Sequence, residues 1–266
     1  MTSLEEYYNK FNEDKRLLSR HGRVEYTVTR HYIDEVIGNL EAENISIADI
    51  GAGTGRYSIA LAQAGYQVTA VEKVSYNLGI LKKHARDEGL SEDRLTAYKG
   101  DARKLKRLKE NSFDLTLLLG PMYHLHSVED KVMAMKEALR ITKSGGYILV
   151  GYVMADYALV RHGFMEHNVL DSIERGALTE DYAIKSDENE LYDYVRLSDI
   201  DVINEQTGAK RIKIISPDGP ADYIRPFLNN MSEQEFEKFV DYQIKNAERP
   251  ELIGAGSHTV DIVMKR

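Results

Sequence analysis

The stretch Ile47-Ala-Asp-Ile-Gly-Ala-Gly-Thr-Gly55 is followed by a helical pattern and then by Val68-Thr-Ala-Val-Glu72. This order predicts a buried strand, a glycine-rich turn, a helix and a second strand that ends in a carboxylate. Such a unit forms a nucleotide-type pocket at the carboxyl ends of parallel strands. The glycines let a ligand approach the backbone amides, and the carboxylate of Glu72 can accept hydrogen bonds from a pair of ribose hydroxyls.

The spacing of the glycines favours S-adenosylmethionine over a dinucleotide as the ligand. Gly51, Gly53 and Gly55 give G-x-G-x-G, and Arg56 stands where the dinucleotide fingerprint has its third glycine. That third glycine allows close helix–strand packing under a pyrophosphate, a group that S-adenosylmethionine lacks. Asp49 adds a carboxylate that can hold the ammonium group of the ligand, directly or through water. An ordinary glycine turn is the alternative, and the carboxylate that ends the second strand disfavours it.

Charge and composition restrict the class of protein. The chain has 266 residues, a net charge of −8 and no cysteine, which excludes disulfides and cysteine-based zinc sites. The acidic balance argues against a nucleic-acid partner. One basic cluster is predicted to be a solvated face and comprises Lys104, Lys106, Arg107 and Lys109. The amino-terminal residues are too charged for a signal peptide and the longest apolar run, 147–154, is too short to span a membrane, so we expect a cytoplasmic protein without a membrane partner.

Strands and helices alternate between residues 45 and 153. The predicted strands cover 46–50, 67–73, 95–99, 113–119 and 146–153, and the predicted helices cover 56–64, 76–88 and 128–142. Ser75 is predicted to cap the second of these helices, and Gly145-Gly146 is predicted to close the third. The alternation indicates an α/β fold: a Rossmann-like, doubly wound, mostly parallel sheet with helices on both faces.

Beyond residue 153 the alternation breaks. A predicted helix over 198–207, a strand over 210–216, a helix after Ser232 and a strand over 258–265 are separated by segments without a regular pattern. Insertions at the carboxyl side of a sheet usually cover the ligand cleft. We therefore predict a single domain, 1–266, made of a helical lead-in or lid (1–44), a cofactor-binding core (45–153) and two cap insertions (154–197 and 217–257). Apolar residues at helical spacing support the lead-in at Leu4, Tyr7, Tyr8 and Phe11, and at Ile33, Val36, Ile37 and Leu40.

Several segments in this order resemble those of the class I S-adenosylmethionine-dependent methyltransferases. Besides the glycine turn and Glu72, they are Lys99-Gly-Asp-Ala102, Phe113-Asp-Leu-Thr-Leu-Leu-Leu-Gly120 and Ile141-Thr-Lys-Ser-Gly-Gly-Tyr-Ile148. The resemblance covers residues 45–153 and the last two strands, and it implies seven strands, the last antiparallel in a hairpin with the sixth. Leu119-Gly-Pro-Met-Tyr-His-Leu125 is similar to a segment of a bacterial small-molecule group within this superfamily.

The resemblance implies S-adenosylmethionine as the cofactor and S-adenosylhomocysteine as its product. Asp101 is implied to accept hydrogen bonds from the adenine edge, although an aspartate after a strand is also a common helix cap. Arg16 and Tyr26 belong to a segment that is similar to the group's lead-in over the cofactor. The cofactor-binding residues expected from pattern and resemblance are Asp49, Gly51, Ala52, Gly53, Gly55, Glu72, Lys73, Gly100, Asp101, Ala102, Leu119, Arg16 and Tyr26.

Methyl transfer from a sulfonium is an in-line displacement, so the protein mainly positions the acceptor and excludes water. A general base is required only when the acceptor atom arrives protonated. His124 is the candidate base because it follows the fourth strand at the mouth of the cleft, and Tyr123 can line the pocket or bind the acceptor. A structural histidine that is bonded to backbone is an equal alternative for His124. His162 and His167 are five residues apart, which disfavours a metal site on one helix face.

These observations predict a methyltransferase that uses S-adenosylmethionine to methylate an enclosed small-molecule acceptor by in-line displacement. Two alternatives stay open: an NAD-dependent oxidoreductase on a Rossmann-like fold, and a binding module that holds S-adenosylmethionine without catalysis. The acceptor, its reacting atom and the oligomeric state are not determined by the sequence pattern.

Overall fold

The computed structural model describes Tyr7 and residues 19–266 of the chain. Seven strands are present in this part: β1 (Ser46–Ile50), β2 (Gln67–Glu72), β3 (Leu95–Lys99), β4 (Phe113–Leu118), β5 (Thr142–Val153), β6 (Lys210–Ile215) and β7 (His258–Met264). The α-helices of the same part are α1 (Arg20–Gly38), α2 (Arg56–Gln63), α3 (Ser75–Asp87), α4 (Val128–Ile141), α5 (Ala155–Ala158), α6 (Val169–Glu174), α7 (Leu197–Thr207), α8 (Arg225–Asn230) and α9 (Glu233–Asn246).

All seven strands form one sheet in the order β3-β2-β1-β4-β5-β7-β6. β1 to β5 are parallel to their neighbours, and β7 is antiparallel to both β5 and β6. The chain adds β2 and β3 on one side of β1 and then adds β4 and β5 on the other side. The point between β1 and β4 where this order reverses is the crevice at which α/β sheets bind ligands. The predicted doubly wound, mostly parallel sheet with an antiparallel last strand is confirmed.

Both faces of the sheet are covered by helices. One hydrophobic cluster joins the sheet to α4 and α7, and a second joins the opposite face to α1, α2, α3 and α9. Adjacent residues of β4 alternate between the two clusters, with Leu117 in one and Leu118 in the other, both fully buried. β4 is therefore buried on both faces, although Asp114 and Thr116 interrupt its apolar sequence.

Two predicted helix ends are wrong. Val74 is the N-cap of α3, and Ser75 is its first helical residue. Gly145-Gly146 does not close α4: the helix ends at Ile141, and β5 begins at Thr142 in an extended conformation. The Thr142 hydroxyl donates to the Ala138 carbonyl at 2.7 Å, which satisfies a helix-end acceptor without a glycine turn.

The two cap segments leave the sheet at the carboxyl ends of β5 and β6, and α1 packs on one face of the sheet. α1 is longer than the predicted apolar pattern and is capped by Ser19, whose hydroxyl accepts from the Gly22 amide. Between β5 and α7 the chain forms α5, a π-helix (Leu159–Phe164) and α6. Between β6 and β7 it forms α8, α9 and a short 3-10 helix (Pro250–Leu252). The division into lead-in, core and caps stays a prediction. Leu4, Tyr8, Phe11 and Arg16 lie outside the described residues.

Candidate functional site

A cavity opens at the carboxyl ends of β1, β2, β4 and β5, where the sheet order places the crevice. Most of the predicted site residues line it, namely Asp49, Gly51, Ala52, Gly53, Glu72, Lys73, Gly100, Asp101, Ala102, Leu119, Tyr123 and His124. We call the part formed by the 49–54 turn, Glu72 and Asp101 the glycine-turn end. The part formed by Glu25, Tyr123, His124 and His258 is called the histidine end.

The three glycines of the turn have different surroundings, although all three have positive φ, a region that other residues rarely adopt. A Cβ on Gly51 would lie 2.6 Å from Cδ of Pro121, and a Cβ on Gly55 would lie 2.7 Å from Cγ of Leu81. At Gly53 a Cβ would meet no atom within 4 Å. Gly51 and Gly55 therefore allow close packing, and only Gly53 leaves open space for a ligand. Gly55 does not line the cavity.

Glu72 links the end of β2 to the glycine turn. One carboxylate oxygen accepts from the Gly53 amide at 2.8 Å and the other accepts from the Val74 amide at 2.7 Å. The side chain is buried, and burial raises the pKa of Glu72 to about 7 although both hydrogen bonds favour the charged form. The carboxylate thus holds the turn in shape, and it lines the same cavity.

Asp49 is the second buried carboxylate at the glycine-turn end. Its Oδ2 accepts from the hydroxyl of Ser58, the third residue of α2, at 2.5 Å. Burial raises the pKa of Asp49 to about 6. Two buried carboxylates beside one cavity create a site that a cation would stabilise.

Asp101 lies at the rim of the cavity in a charged network. Its carboxylate accepts from the Arg103 side chain at 2.8 and 3.0 Å, and Lys73 Nζ lies 3.1 Å away. These hydrogen bonds, above all from Arg103, hold the pKa of Asp101 well below its usual range. Asp101 also accepts from the Arg103 backbone amide at 3.0 Å, so it makes the local turn as well as lining the cavity.

Tyr26 does not line the cavity but contacts two residues that do. Its ring lies 5.1 Å from the ring of Tyr57, and the Arg56 guanidinium carbon lies 4.0 Å from the Tyr26 ring centroid. Arg56, the residue that replaces a third glycine, therefore attaches α2 to α1 through a cation–π contact.

The histidine end contains Tyr123 and His124, which lie in a 3-10 turn, Pro121–His124, directly after β4. His124 Nδ1 lies 3.0 Å from the Leu191 carbonyl, so this nitrogen carries the proton and donates it. Burial lowers the pKa of His124 to about 4. The Tyr192 ring lies 5.3 Å from His124 and 5.7 Å from Tyr123, and the Tyr7 ring lies 6.4 Å from Tyr192.

A buried ion pair fastens the cap segment to this turn. Lys131 on α4 lies 2.5 Å from Asp193 and also donates to the Leu125 carbonyl. The Asp193 amide donates to the Tyr123 carbonyl at 2.9 Å. Both charged side chains are buried. Within the described part of the chain, no residue of the 154–197 segment lines the cavity. The segment instead makes hydrogen bonds to Tyr123 and His124, which do line it.

Several lining residues are not predicted from the sequence, among them Glu25, Thr29, Asn77, Pro217 and His258. Glu25 and Thr29 lie on α1, where no sequence signal separates a cavity-facing residue from a solvent-facing one. His258 had a signal: the first residue of an antiparallel last strand must lie at the edge where the parallel strands end. Among the described residues, no group of three or more histidine, aspartate or glutamate side chains is arranged to hold a metal ion. No helix of this part is both long enough and apolar enough to cross a membrane.

Part of the chain matches a family of known proteins. Residues 48–150 match a family model described as a methyltransferase domain. The chain is 31% identical over 123 residues to a demethylmenaquinone methyltransferase of Renibacterium salmoninarum, covering 46% of each chain. It is 26% identical over 118 residues to a ubiquinone biosynthesis O-methyltransferase of Nitrosomonas europaea, covering 44% of this chain and 47% of the relative. The chain therefore spans about half the length of these curated relatives.

A solved structure extends the likeness in fold to nearly the whole chain. A S-adenosylmethionine-dependent methyltransferase from Thermotoga maritima superposes with a TM-score of 0.58, covering 99% of both chains at 20% sequence identity. The glycine-turn end lies inside the matched segment, and so do Tyr123 and His124 of the histidine end. Glu25 and His258 lie outside it.

Proposed function

We propose that this chain, whose residues 48–150 match a family model described as a methyltransferase domain, transfers a methyl group from S-adenosylmethionine to a small-molecule acceptor in the cavity. The observation that carries the proposal is the position of Glu72. Its carboxylate lines the cavity while accepting from the amide of Gly53, the one turn glycine that faces open space. A ribose diol can approach this carboxylate at the place where the backbone is most accessible.

The buried carboxylates support a cationic cofactor. S-Adenosylmethionine carries an ammonium and a sulfonium, and Asp49 and Glu72 lie on the same cavity wall. In our proposal Asp49 holds the ammonium and Glu72 holds the ribose. Asp101, Gly100 and Ala102 receive the adenine edge, and Leu119 packs against the cofactor beside the turn. Tyr123 then lines the path of the acceptor.

The small-molecule acceptor has two sources of support. The relatives named above carry names that refer to quinone biosynthesis. The cavity is also lined from several separate elements, namely α1, the 3-10 turn after β4, Pro217 after β6 and the start of β7, which together bound a space suited to a small acceptor. An in-line displacement needs only orientation and exclusion of water from the protein.

Thermal unfolding with S-adenosylmethionine, S-adenosylhomocysteine or NAD at equal concentration tests the cofactor. A ligand at a hundredfold over its Kd stabilises the folded state by about 2.7 kcal/mol, and we expect this from the two sulfur compounds alone. The Glu72→Ala variant should bind them more weakly. Stabilisation by NAD alone would replace the proposal with an oxidoreductase. Binding of S-adenosylmethionine with no methyl transfer to any acceptor would leave a non-catalytic binding module.

A further inference from the structure

The histidine end of the cavity contains a hydrogen-bonded pair that the proposed function does not yet use. His258, the first residue of β7, has Nδ1 2.7 Å from Oδ2 of Asp218. Its backbone amide donates to the other carboxylate oxygen at 3.2 Å. Asp218 is only 4% exposed, so its orientation is fixed. Two hydrogen bonds from one residue to one carboxylate make a rigid pair.

The geometry defines the tautomer of the imidazole. Because Nδ1 faces a carboxylate, which only accepts, Nδ1 carries a proton and Nε2 is the basic nitrogen. A buried carboxylate behind a histidine also stabilises the imidazolium that forms when the histidine takes a second proton. His124 has the opposite surroundings, since its Nδ1 donates to a neutral carbonyl and burial lowers its pKa to about 4. His258 is therefore better placed than His124 to take up a proton.

His258 lines both cavities at this end of the molecule. It lines the main cavity together with Tyr123, whose ring centroid is 6.5 Å from the imidazole. It also lines a second, smaller cavity with His21, Glu25, Asp218, Asp222, Arg225 and Ser257. β7 is antiparallel to β5 and pairs His258 with Val153, so its first residue lies at the same sheet edge as the ends of the parallel strands.

The charges around the pair restrict the chemistry of the acceptor. Among the described residues, the titratable groups that face it are His21 and Glu25 from α1, Asp222 from the segment before α8, Arg225 at the start of α8, and Tyr123 from the 3-10 turn. Glu25 Oε2 lies 3.9 Å from His258 Nδ1, and Arg225 is paired with Asp222. Three carboxylates and one guanidinium disfavour an anionic acceptor and favour a cationic one.

We propose that His258, oriented by Asp218, accepts a proton from a small amine that enters as its ammonium ion, and that the amine nitrogen is methylated. This inference rests on the proposed function. The ammonium gives one proton to His258 Nε2, and the freed lone pair forms the new N–CH₃ bond. The S–CH₃ bond breaks with its electron pair on sulfur, which leaves neutral S-adenosylhomocysteine. The product leaves as a methylammonium ion, and His258 returns its proton to solvent.

Binding of S-adenosylhomocysteine, followed by thermal unfolding, separates this inference from the proposed function. We expect the wild type, His258→Gln, Asp218→Asn and the control His162→Gln to be stabilised to the same extent. His162 is a suitable control because it is half exposed and paired with Glu166 away from the cavity. If S-adenosylhomocysteine and S-adenosylmethionine stabilise none of the four proteins, the proposed function itself is wrong.

Methyl transfer is then measured by mass spectrometry under single-turnover conditions, with enzyme in excess over S-adenosylmethionine. The probes are ethanolamine, glycine, benzylamine and tyramine, each beside its hydroxyl counterpart: ethylene glycol, glycolate, benzyl alcohol and tyrosol. We expect N-methylation of at least one amine and no methylation of the hydroxyl counterparts. Methylation at oxygen, or no methylated amine from a protein that binds S-adenosylhomocysteine, would overturn the proposal.

The pH profile distinguishes a proton acceptor from a structural histidine. With the amine that reacts best, His258→Gln should lower the rate at neutral pH by about 100-fold or more, a typical contribution of general-base catalysis. Its remaining rate should rise tenfold per pH unit, since only the amine that is already deprotonated reacts, and should approach the wild type at high pH. Asp218→Asn should show a smaller loss. A wild-type rate in His258→Gln, or a loss that high pH does not restore, contradicts a role in proton transfer.

Discussion

At the glycine-turn end the cavity is lined largely by backbone from one continuous stretch, residues 49–54, with Glu72 shortly after it. At the histidine end it is lined by side chains from α1, from the turn after β4 and from the start of β7. In the proposed function the first arrangement binds the cofactor, because backbone amides and one carboxylate need few specific side chains. The second can change residue by residue while the sheet stays intact. If the proposed function is right, recognition of the cofactor and recognition of the acceptor are separate properties of one cavity.

The largest expected effect is on the attachment of the histidine end. Lys131→Met leaves Asp193 buried without its partner, which should lower the free energy of unfolding by about 3–5 kcal/mol. Urea denaturation measures this loss. The double variant Lys131→Met/Asp193→Leu should recover most of it, because no charge is then left unpaired. Lys83→Met, which removes an exposed pair with Asp87, is the control and should change stability by less than about 0.5 kcal/mol. An equal effect of Lys83→Met and Lys131→Met would show that the buried pair does not anchor the cap.

Glu72 should give the glycine-turn end a characteristic pH dependence. Its pKa is raised from 4.5 to about 7 in the folded state. At pH values between these two numbers the folded protein therefore binds more protons than the unfolded chain does. The stability from the protonated carboxyl is fully present below pH 4.5 and is lost as pH rises to about 7. At 1.36 kcal/mol per pKa unit the loss is on the order of 3 kcal/mol. Urea denaturation of wild type and Glu72→Gln from pH 4.5 to 8 should show this fall in the wild type and a flatter curve in the variant. Parallel curves would show that Glu72 does not titrate in this range.

Substitutions of Gly51 and Gly53 should separate the stability of the fold from ligand binding. Gly51→Ala places a Cβ against Pro121 at a positive φ and should destabilise the fold by about 1–3 kcal/mol. Gly53→Ala meets no neighbour, so its cost is limited to its positive φ, about 1–2 kcal/mol. Its methyl group faces the cavity, and it should weaken S-adenosylhomocysteine binding more than Gly51→Ala does. Urea denaturation and calorimetric titration measure the two effects. A reversed order in affinity would contradict the assignment of Gly53 to ligand access.

The smallest effect concerns the contact between α1 and the glycine-turn end. Tyr26→Leu removes the ring over which the Arg56 guanidinium lies, and should cost about 0.5–1 kcal/mol of stability. S-Adenosylhomocysteine affinity should fall only severalfold, because Tyr26 does not line the cavity. Calorimetric titration measures the change. A loss as large as that of Glu72→Ala would show that Tyr26 binds the cofactor directly.

The glycine-turn end could be predicted because its determinants are local. Strand, turn, helix and strand follow one another between residues 46 and 72, and each has a periodicity or a glycine requirement of its own. The fold inferred from this stretch is confirmed, and residues 48–150 match a family model described as a methyltransferase domain. The predicted roles of the individual site residues stay predictions. Arg16 in particular lies outside the described residues.

The histidine end could be predicted only in part. Tyr123 and His124 follow a recognisable strand, but Glu25, Asp218 and His258 come together only through the tertiary fold. The error at Gly145-Gly146 has a local cause, since a glycine pair is typical of a helix end but here lies inside β5. At Gly146 a Cβ would lie 2.7 Å from the Asp114 carbonyl oxygen, so close strand packing explains that glycine.

The place of β7 between β5 and β6 also determines when the protein can complete its fold. Among the described strands, β6 has no sheet neighbour except β7, so it cannot join the sheet before β7 has been synthesised. Pairings between distant parts of a chain form slowly because loop closure precedes the contacts that stabilise it. We expect the segment up to β5 to collapse first during translation, with the edge of β5 still open beside that of β3, and the second half of the cavity to appear only when β7 has joined the sheet.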